Sequence, residues 1–392
     1  MIYEILLPLP IQKTFYYEVT DINEKLGILP NGTLVQVEFK KKLIVGIIIN
    51  NLKNNTLKKP LKKIIKTFDP LFFNTEILES IKFISSYSCN KSSLILKLFL
   101  SNFSQTDYLK DFEKKTLKNL KKKILFNSNQ IDLINKIKKI NFNEFNVVLL
   151  EGVTGSGKTR VYIQKVKEVI ERGFQCLILV PEIILTKQWV EDIKDELSFK
   201  PVIYHSSIKK KEREKIWRQC NLNKIKLIIG TRSALFLPFS KLGLIVIDEE
   251  HDSSYKQEEQ LIINARDFSI VRAKNSKCLV ILSSATPSLE SSARAGKGVY
   301  TLLELKQRAN QMDLPEVTVV DMRDEAKKGN RSNFSLELQA AIQDRIQKKE
   351  QTVLMLNRRG YSSFVLCRDC GFVLGCPNCD ISLTLHMDTK TM

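Results

Sequence analysis

The stretch GVTGSGKT at residues 152–159 follows the apolar run VVLL and precedes a helical pattern. It fits the P-loop pattern G-x-x-x-x-G-K-[ST], in which glycines let backbone N–H groups close around phosphate oxygens. The start of the following helix adds positive potential at the same place. The pattern therefore predicts a strand, a loop and a helix that together bind a nucleotide; a glycine turn without a ligand is the alternative.

Two side chains of this loop have predicted roles in chemistry. Lys158 should reach the β- and γ-phosphates of ATP, and the Thr159 hydroxyl should hold Mg²⁺. Every residue of the loop is a candidate for binding the nucleotide: Gly152, Val153, Thr154, Gly155, Ser156, Gly157, Lys158 and Thr159.

Five short apolar runs alternate with helical patterns between residues 127 and 305. Continuous apolar strands joined by helical crossovers predict an α/β domain with a parallel sheet and helices on both faces. The predicted strands are 147–150, 176–180, 226–230, 242–247 and 278–282.

The remaining chain divides into four predicted segments. Residues 1–100 alternate apolar runs with turns, which is typical of a small β-rich domain, and lysine-rich residues 101–126 predict a linker. Residues 306–366 predict a connector and the start of a second lobe, with a helix at 335–349 and a strand at 352–356. Residues 367–392 form a cysteine segment.

The run LIVIDEEH at 244–251 is a predicted strand that ends in acidic residues. Asp248 stands where a P-loop enzyme anchors Mg²⁺, and Glu249 is placed to activate the attacking water. An acidic strand end exposed to solvent is the alternative, and the P-loop upstream disfavours it.

Three other features are candidates for coupling the nucleotide site to nucleic acid. SSATPS at 283–288 follows a strand, and Thr286 there could sense the γ-phosphate or simply cap a helix. Arg232 in GTRSALF could bind a nucleic-acid phosphate, or form an internal salt bridge. His251 follows the acids, and Tyr255 could stack on a base.

The net charge of +19 favours a polyanionic partner, although a lysine bias across the chain could also raise it. Residues 1–125 contain no arginine, so contacts to phosphates are favoured over bidentate contacts to bases. No apolar run is long enough to cross a bilayer and the first residues do not fit a signal peptide, so the expected location is the cytoplasm and no membrane partner is expected.

Four of the eight cysteines lie close together near residue 370. Cys367 and Cys370 form one CxxC pair, and Cys376 and Cys379 form a second. Four thiolates at this spacing could bind one Zn²⁺, or each pair could be half of a separate site. The other cysteines are scattered and read as reduced thiols.

The strings GVTGSGKT, VPEIILT, GTRSALF, DEEHDSSYKQ, SSATPSLES and LNRRGYSSFVLCRDCG together resemble the PriA-type replication-restart DNA helicases of superfamily 2, also called primosomal protein N′. The resemblance implies a RecA-like ATPase lobe and an ATP-driven 3′-to-5′ DNA helicase. It also implies forked and single-stranded DNA, primosome proteins and single-stranded DNA-binding protein as partners of a monomer. Gln130 resembles the family glutamine that reads adenine.

The sequence departs from the family in its first domain and in a loop. We expect the family's winged helix to be lost, because only residues 101–124 fill its place. Tyr16 and Lys40 replace an acid and a glycine that the family uses to capture a DNA 3′ end. Phe15 is kept. Ile263 and Asn264 stand where Tyr-His is usual, so we expect weaker coupling between DNA binding and hydrolysis.

In the family, four CxxC pairs make two nested zinc sites, and this chain contains the first two pairs. The family's arginine finger is also absent. We therefore expect a shortened form in which ATP hydrolysis is slow and unwinding is lost. The rival interpretations are a DNA-binding primosome scaffold without ATPase activity and an RNA helicase of the same superfamily.

Overall fold

The structure is a computed structural model that divides into two compact units, Met1–Met312 and Asp313–Met392. In the part of the chain that it describes, no helix is both long and apolar enough to cross a membrane. The described residues are 1–19, 28–52, 60–104, 126–181, 187–197, 200–257, 262–310, 315–330, 332–355, 367, 370 and 372–377.

Five strands near the N-terminus close into a barrel in the order β1-β2-β5-β3-β4. The barrel core is filled by the buried side chains of alternate strand residues, including Val35, Val37 and Ile48. This confirms the predicted β-rich first region. The strands are β1 (Ile2–Leu6), β2 (Phe15–Glu18), β3 (Thr33–Phe39), β4 (Lys42–Leu52) and β5 (Lys62–Phe72).

Two helices, α1 (Thr75–Tyr87) and α2 (Ser92–Phe99), follow the barrel. Asn74 caps α1 because its side chain accepts a hydrogen bond from the Ile77 amide. These helices pack against the ATPase-like region that follows: the Trp217 indole N–H donates to the Phe99 carbonyl at 2.6 Å. The predicted linker lies mostly outside the described residues.

A seven-stranded parallel sheet forms the centre of the first unit, in the order β14-β6-β13-β10-β7-β9-β8. All five predicted strands are present in it. The strands are β6 (Asn146–Gly152), β7 (Gln175–Leu179), β8 (Val202–Tyr204), β9 (Leu227–Gly230), β10 (Leu242–Asp248), β13 (Leu279–Ser284) and β14 (Thr301–Leu305). A short hairpin, β11 (Lys256–Gln257) with β12 (Ile263–Asn264), lies outside the sheet.

Alternate residues of each strand face two separate cores. Leu149 and Val280 belong to the core shared with α1 and α2, whereas Leu150 and Ile281 belong to the core under α4. Both faces are therefore covered, as continuous apolar strands require. The helices of this region are α3 (Ser128–Lys139), α4 (Lys158–Glu171), α5 (Lys187–Leu197), α6 (Lys210–Asn221), α7 (Ala265–Asn275) and α8 (Leu289–Gly296).

The second unit contains α9 (Met322–Lys327) and α10 (Leu336–Gln347). The Glu325 carboxylate accepts from the Leu336 amide at 2.6 Å and from the Asn330 side chain at 2.9 Å, which joins the two helices. The predicted helix at 335–349 is thus present. The predicted strand at 352–356 is wrong for residues 352–355, which form no strand in the structure, and residue 356 lies outside the described residues.

Candidate nucleotide-binding site

The P-loop runs from the end of β6 to the start of α4. Gly155 and Gly157 have φ angles of +78° and +85°, a region that favours glycine. A Cβ on Gly152 would lie 2.7 Å from the Ser156 hydroxyl oxygen and 2.9 Å from the Leu305 Cβ. The loop can therefore close only with glycine at these positions.

Two polar groups inside this loop suit an anionic ligand. The Lys158 ammonium is largely buried and donates to the Gly152 carbonyl at 2.7 Å. Burial lowers its pKa, while the Glu249 and Asp248 carboxylates act in the opposite direction. The Ser156 hydroxyl is buried and has no hydrogen-bond partner in the described part of the chain. The residues present thus fit a bound triphosphate.

Asp248 ends β10, two strands away from the P-loop strand, with β13 between them. One carboxylate oxygen accepts from the Tyr162 hydroxyl at 3.0 Å, and the other accepts from the Ser283 hydroxyl at 2.9 Å. Burial raises the pKa of Asp248, and these two hydrogen bonds oppose that shift. The side chain is held rigidly, and its oxygens are of the type that Mg²⁺ prefers.

Glu249 follows in a left-handed backbone conformation, with φ at 47°. That conformation is costly for a residue with a side chain, and such strain tends to occur at functional sites. Burial, and then the neighbouring Asp248 charge, raise the pKa of Glu249. Its side chain is partly exposed, so it is the more accessible of the two acids.

His251 and Thr286 are joined through Ser284, another hydroxyl residue of the SSATPS string. The His251 Nδ1 atom lies 2.7 Å from the Ser284 hydroxyl, which also accepts from the Thr286 amide at 3.0 Å. The His251 Nδ1 atom lies 3.5 Å from the Glu249 carboxylate. Ser284 therefore connects the loop after β10 to the loop after β13.

Glu250 was missed by sequence reasoning. Its carboxylate is fully buried and accepts from the Arg266 guanidinium at 3.1 Å, the Ser288 amide at 2.7 Å and the Ser291 hydroxyl at 3.1 Å. It thereby fixes the start of α8 next to the start of α7. The sequence shows an acidic residue in DEEH and serines at 288 and 291, but their spacing along the chain does not show that they are in contact.

The DEAD/DEAH box helicase family matches residues 127–295, and the 3′DNA-binding domain (3′BD) of PriA matches residues 4–101. The chain is 39% identical over 391 residues to the replication restart protein PriA of Rickettsia prowazekii, covering 98% of this chain and 58% of that protein. The chain belongs to the PriA family.

Two other PriA proteins match a shorter part of the chain at higher identity. The PriA of Bacillus subtilis is 52% identical over 244 residues, which are 62% of this chain and 30% of that protein. The PriA of Synechocystis is 48% identical over 248 residues, with the same shares. This chain thus spans 58% or less of the length of these three PriA relatives.

The glutamine expected to read adenine, Gln130, is already engaged in this PriA-family chain. Its side-chain oxygen accepts from the Asn127 amide at 3.2 Å, which completes a capping box at the start of α3. Its side-chain nitrogen donates to the Ser156 carbonyl at 2.9 Å. Gln130 therefore supports the P-loop backbone directly.

Two candidates for nucleic-acid contact also have internal partners. Arg232 donates to the Lys256 carbonyl at 2.9 Å. Tyr255 is 2% exposed and its hydroxyl donates to the Asp248 carbonyl at 2.6 Å. The hypothesis that Tyr255 stacks on a base is wrong, because its ring has no exposed face; it braces the acidic strand end instead.

In the first domain, the structure brings Phe15 close to the turn that contains Lys40. The rings of Phe15 and Phe39 lie 4.8 Å apart, with the Lys40 ammonium 5.9 Å from the Phe39 ring centre. Lys40 has a φ of 46°, and Lys41 has a φ of 62°. Tyr16, next to Phe15 on β2, is 36% exposed.

The predicted zinc ligands lie only partly within the described residues. Cys367 and Cys370 are exposed and Cys376 is half-buried, while Cys379 lies outside the described residues. Among the residues described, no three His, Cys, Asp or Glu side chains are grouped so that they could hold a metal ion.

Proposed function

We propose that this chain is the ATP-hydrolysing and DNA-binding portion of a replication-restart DNA helicase of 3′-to-5′ polarity. One observation carries the proposal: Lys158, Asp248 and Glu249 influence one another's pKa at the carboxyl edge of the sheet. They lie beside a P-loop whose buried Ser156 hydroxyl has no partner among the described residues. Membership of the PriA family and the match to the 3′DNA-binding domain support DNA as the second ligand.

In this proposal, each residue of the nucleotide site has a separate task. Lys158 exchanges the Gly152 carbonyl for phosphate oxygens, and the loop amides from 153 to 159 donate to the same phosphates. Thr159 and Asp248 would hold Mg²⁺, which neutralises charge on the β- and γ-phosphates. Tyr162 and Ser283 orient the Asp248 carboxylate, and Gln130 keeps the loop in position beside the adenine.

Glu249 is the proposed general base for the attacking water. A carboxylate whose pKa is raised accepts a proton more readily near neutral pH than an ordinary glutamate does. Its left-handed backbone turns the side chain away from the strand direction. Because His251 lies 3.5 Å away and bonds to Ser284, a shift of the loop at Thr286 would reach the base through three contacts.

The DNA strand is proposed to cross the loops at the carboxyl ends of β7, β9 and β10. Arg232 stands at the end of β9 and bonds to the hairpin that follows Tyr255. Arg232, His251, Tyr255 and Thr286 thus form a proposed route from DNA to the ATP site. Forked DNA, primosome proteins and single-stranded DNA-binding protein are the proposed partners by family membership.

We also propose that Cys367, Cys370, Cys376 and Cys379 supply thiolates to Zn²⁺. The two CxxC spacings support this, since a structural zinc site takes four such ligands. Zinc content of the purified chain, measured by atomic emission with the four cysteines replaced by serine as control, tests it.

The test of the main proposal is ATP hydrolysis with and without forked DNA. We expect DNA to raise the turnover, and Lys158→Ala to abolish it. Lys274→Ala, an exposed lysine on α7, is the matched control and should hydrolyse ATP like wild type. DNA binding without any turnover would instead identify a scaffold, and tighter binding to structured RNA at equal salt would favour an RNA helicase.

A further inference from the structure

A second cavity lies at the carboxyl edge of the same sheet, away from the P-loop. It has a volume of about 350 Å³ and is bordered by the ends of β7, β8 and β9 and by the turn that contains Ser254. The strands β6 and β9 are four positions apart in the sheet, which corresponds to about 19 Å. The cavity is therefore separate from the proposed nucleotide site.

The lining of this cavity has the chemistry of an anion site. Among the described residues, it includes two arginines, Arg213 and Arg232, and no aspartate or glutamate. Hydroxyl groups surround them, among them those of Thr231 and Ser233. Leu98 and Phe236 supply an apolar side, so the space suits a phosphate together with its attached sugar.

Arg213 is the arginine that is available for a ligand. Its Nε atom is buried and has no hydrogen-bond partner within the described residues. Arg232 already donates to the Lys256 carbonyl. A buried guanidinium nitrogen without a partner is costly. An anion bound to the same guanidinium would offset that cost with charge-assisted hydrogen bonds.

Tyr204 adds a second donor beside Arg213. Its hydroxyl accepts from the Asn102 side chain at 2.6 Å, and no acceptor for its own hydrogen is found in the described part of the chain. Burial raises the pKa of Tyr204 to about 12, so it keeps that hydrogen at neutral pH. Asn102 follows α2, so the first domain contributes to the wall of the cavity.

We propose that this cavity binds one phosphodiester group of the DNA strand, with Arg213 as its main ligand and Tyr204 as a second donor. The proposal rests on the proposed DNA-binding function and gives that function a defined contact. It also transfers the phosphate contact first predicted for Arg232 to an arginine on α6. A guanidinium suits this role because its planar donors match phosphate oxygens.

The test measures binding of labelled single-stranded oligothymidine by the whole chain over a range of salt concentrations. Arg213→Met should weaken binding about 10- to 100-fold, as expected for loss of a charged hydrogen bond. The slope of log affinity against log salt should become shallower by about 0.7, the value for one phosphate on a single strand. Arg213→Lys should recover the slope and part of the affinity.

The controls separate this contact from general charge and from folding. Lys211→Ala removes an exposed positive charge of the same helix outside the cavity, and it should change the affinity less than about threefold. Ser233→Glu places a negative charge at an exposed position of the cavity wall and should weaken binding even if Arg213→Met is unstable. ATP binding should be unchanged in all variants.

Wild-type affinity and slope in Arg213→Met, or in Ser233→Glu if the first variant does not fold, would overturn the proposal. In that case DNA binding by the wild-type chain would still support the proposed function. Absence of DNA binding by the wild-type chain would overturn both.

Discussion

In the seven-stranded sheet, the candidate site residues lie where three neighbouring strands end, namely β6, β13 and β10. In the N-terminal barrel, the residues of interest lie on β2 and at the turn between β3 and β4. Asp248 and Ser283 are register partners on β10 and β13, so strand pairing alone places them side by side. In the barrel, Phe15 and Phe39 meet although they lie on β2 and β3, which are not neighbours.

The difference shows why short sequence motifs predict the site residues of the parallel sheet and do not predict those of the barrel. A parallel sheet brings all its carboxyl ends to one edge, so short strings after strands become neighbours in space. In a barrel, the position of a side chain depends on turn geometry and closure, which a short string does not specify. Function in the sheet can therefore be tested residue by residue, and function in the barrel must be tested through its turns.

The largest expected effect separates chemistry from binding within the sheet. Glu249→Gln keeps the size of the side chain but removes the proposed base, so the rate of ATP hydrolysis should fall by about 10²–10⁴-fold. Nucleotide binding should stay near wild type, because Lys158 and the loop amides are intact. Steady-state hydrolysis and titration with a fluorescent ATP analogue measure the two quantities.

The matched variant Glu171→Gln, at the last residue of α4, should hydrolyse ATP normally. If Glu249→Gln were as active as wild type, the general base would have to be another group.

The next effect compares the core under α4 with the core of the barrel. Ile281 of β13 and Ile48 of β4 are both fully buried, so each Ile→Ala change should lower the free energy of unfolding by about 3 kcal/mol. Chemical denaturation measures this. Ile281→Ala should also weaken nucleotide binding, because β13 supports Asp248, whereas Ile48→Ala should not.

Equal loss of nucleotide binding in the folded state of both variants would contradict the separation of the two regions. It would mean that the loss of a side chain in the barrel also disturbs the nucleotide site on the sheet.

Sequence patterns predicted most of the sheet, because its strands are continuously apolar and the motifs follow them directly. They did not identify Tyr162, Glu250 or the contact of Ser284 with a histidine, because each depends on residues 33 to 86 positions apart. Gln130 was found by resemblance, but its contact with the Ser156 carbonyl could be seen only in the structure.

The strand prediction at 352–356 was wrong for residues 352–355, although their sequence is mostly apolar. An apolar run forms a strand only when a neighbouring edge satisfies its backbone, and a single sequence does not show whether that edge exists. Similarly, Tyr255 was an aromatic residue in a motif, and only its burial showed that it packs inside.

A smaller effect concerns how much the buried Asp248 carboxylate lowers the free energy of unfolding. Because burial raises the pKa of Asp248, the folded state binds its proton more tightly than the unfolded state does. Wild type should therefore lose stability as pH rises from the ordinary aspartate range to the raised value. Asp248→Asn does not titrate, and at neutral pH it should be more stable by about 1 kcal/mol while ATP hydrolysis is lost.

Thermal unfolding at several pH values checks this expectation. The advantage of Asp248→Asn should shrink as the pH falls through that window, because protonated Asp248 is also neutral. A constant difference at all pH values would point to the two hydrogen bonds, from Tyr162 and Ser283, as the cause instead.

The smallest expected effect concerns the turn at Lys40 in the barrel and its contribution to stability. Lys40 has a φ of 46°, which glycine adopts without strain, so Lys40→Gly should stabilise the chain by about 0.5–1 kcal/mol. For a chain of this size the melting temperature should rise by about 1–2 °C. Lys42→Gly, at the start of β4, should instead lower it, because glycine weakens a strand. If Lys40→Gly also lowered the melting temperature, the Lys40 ammonium beside the Phe39 ring would contribute more stability than the turn costs.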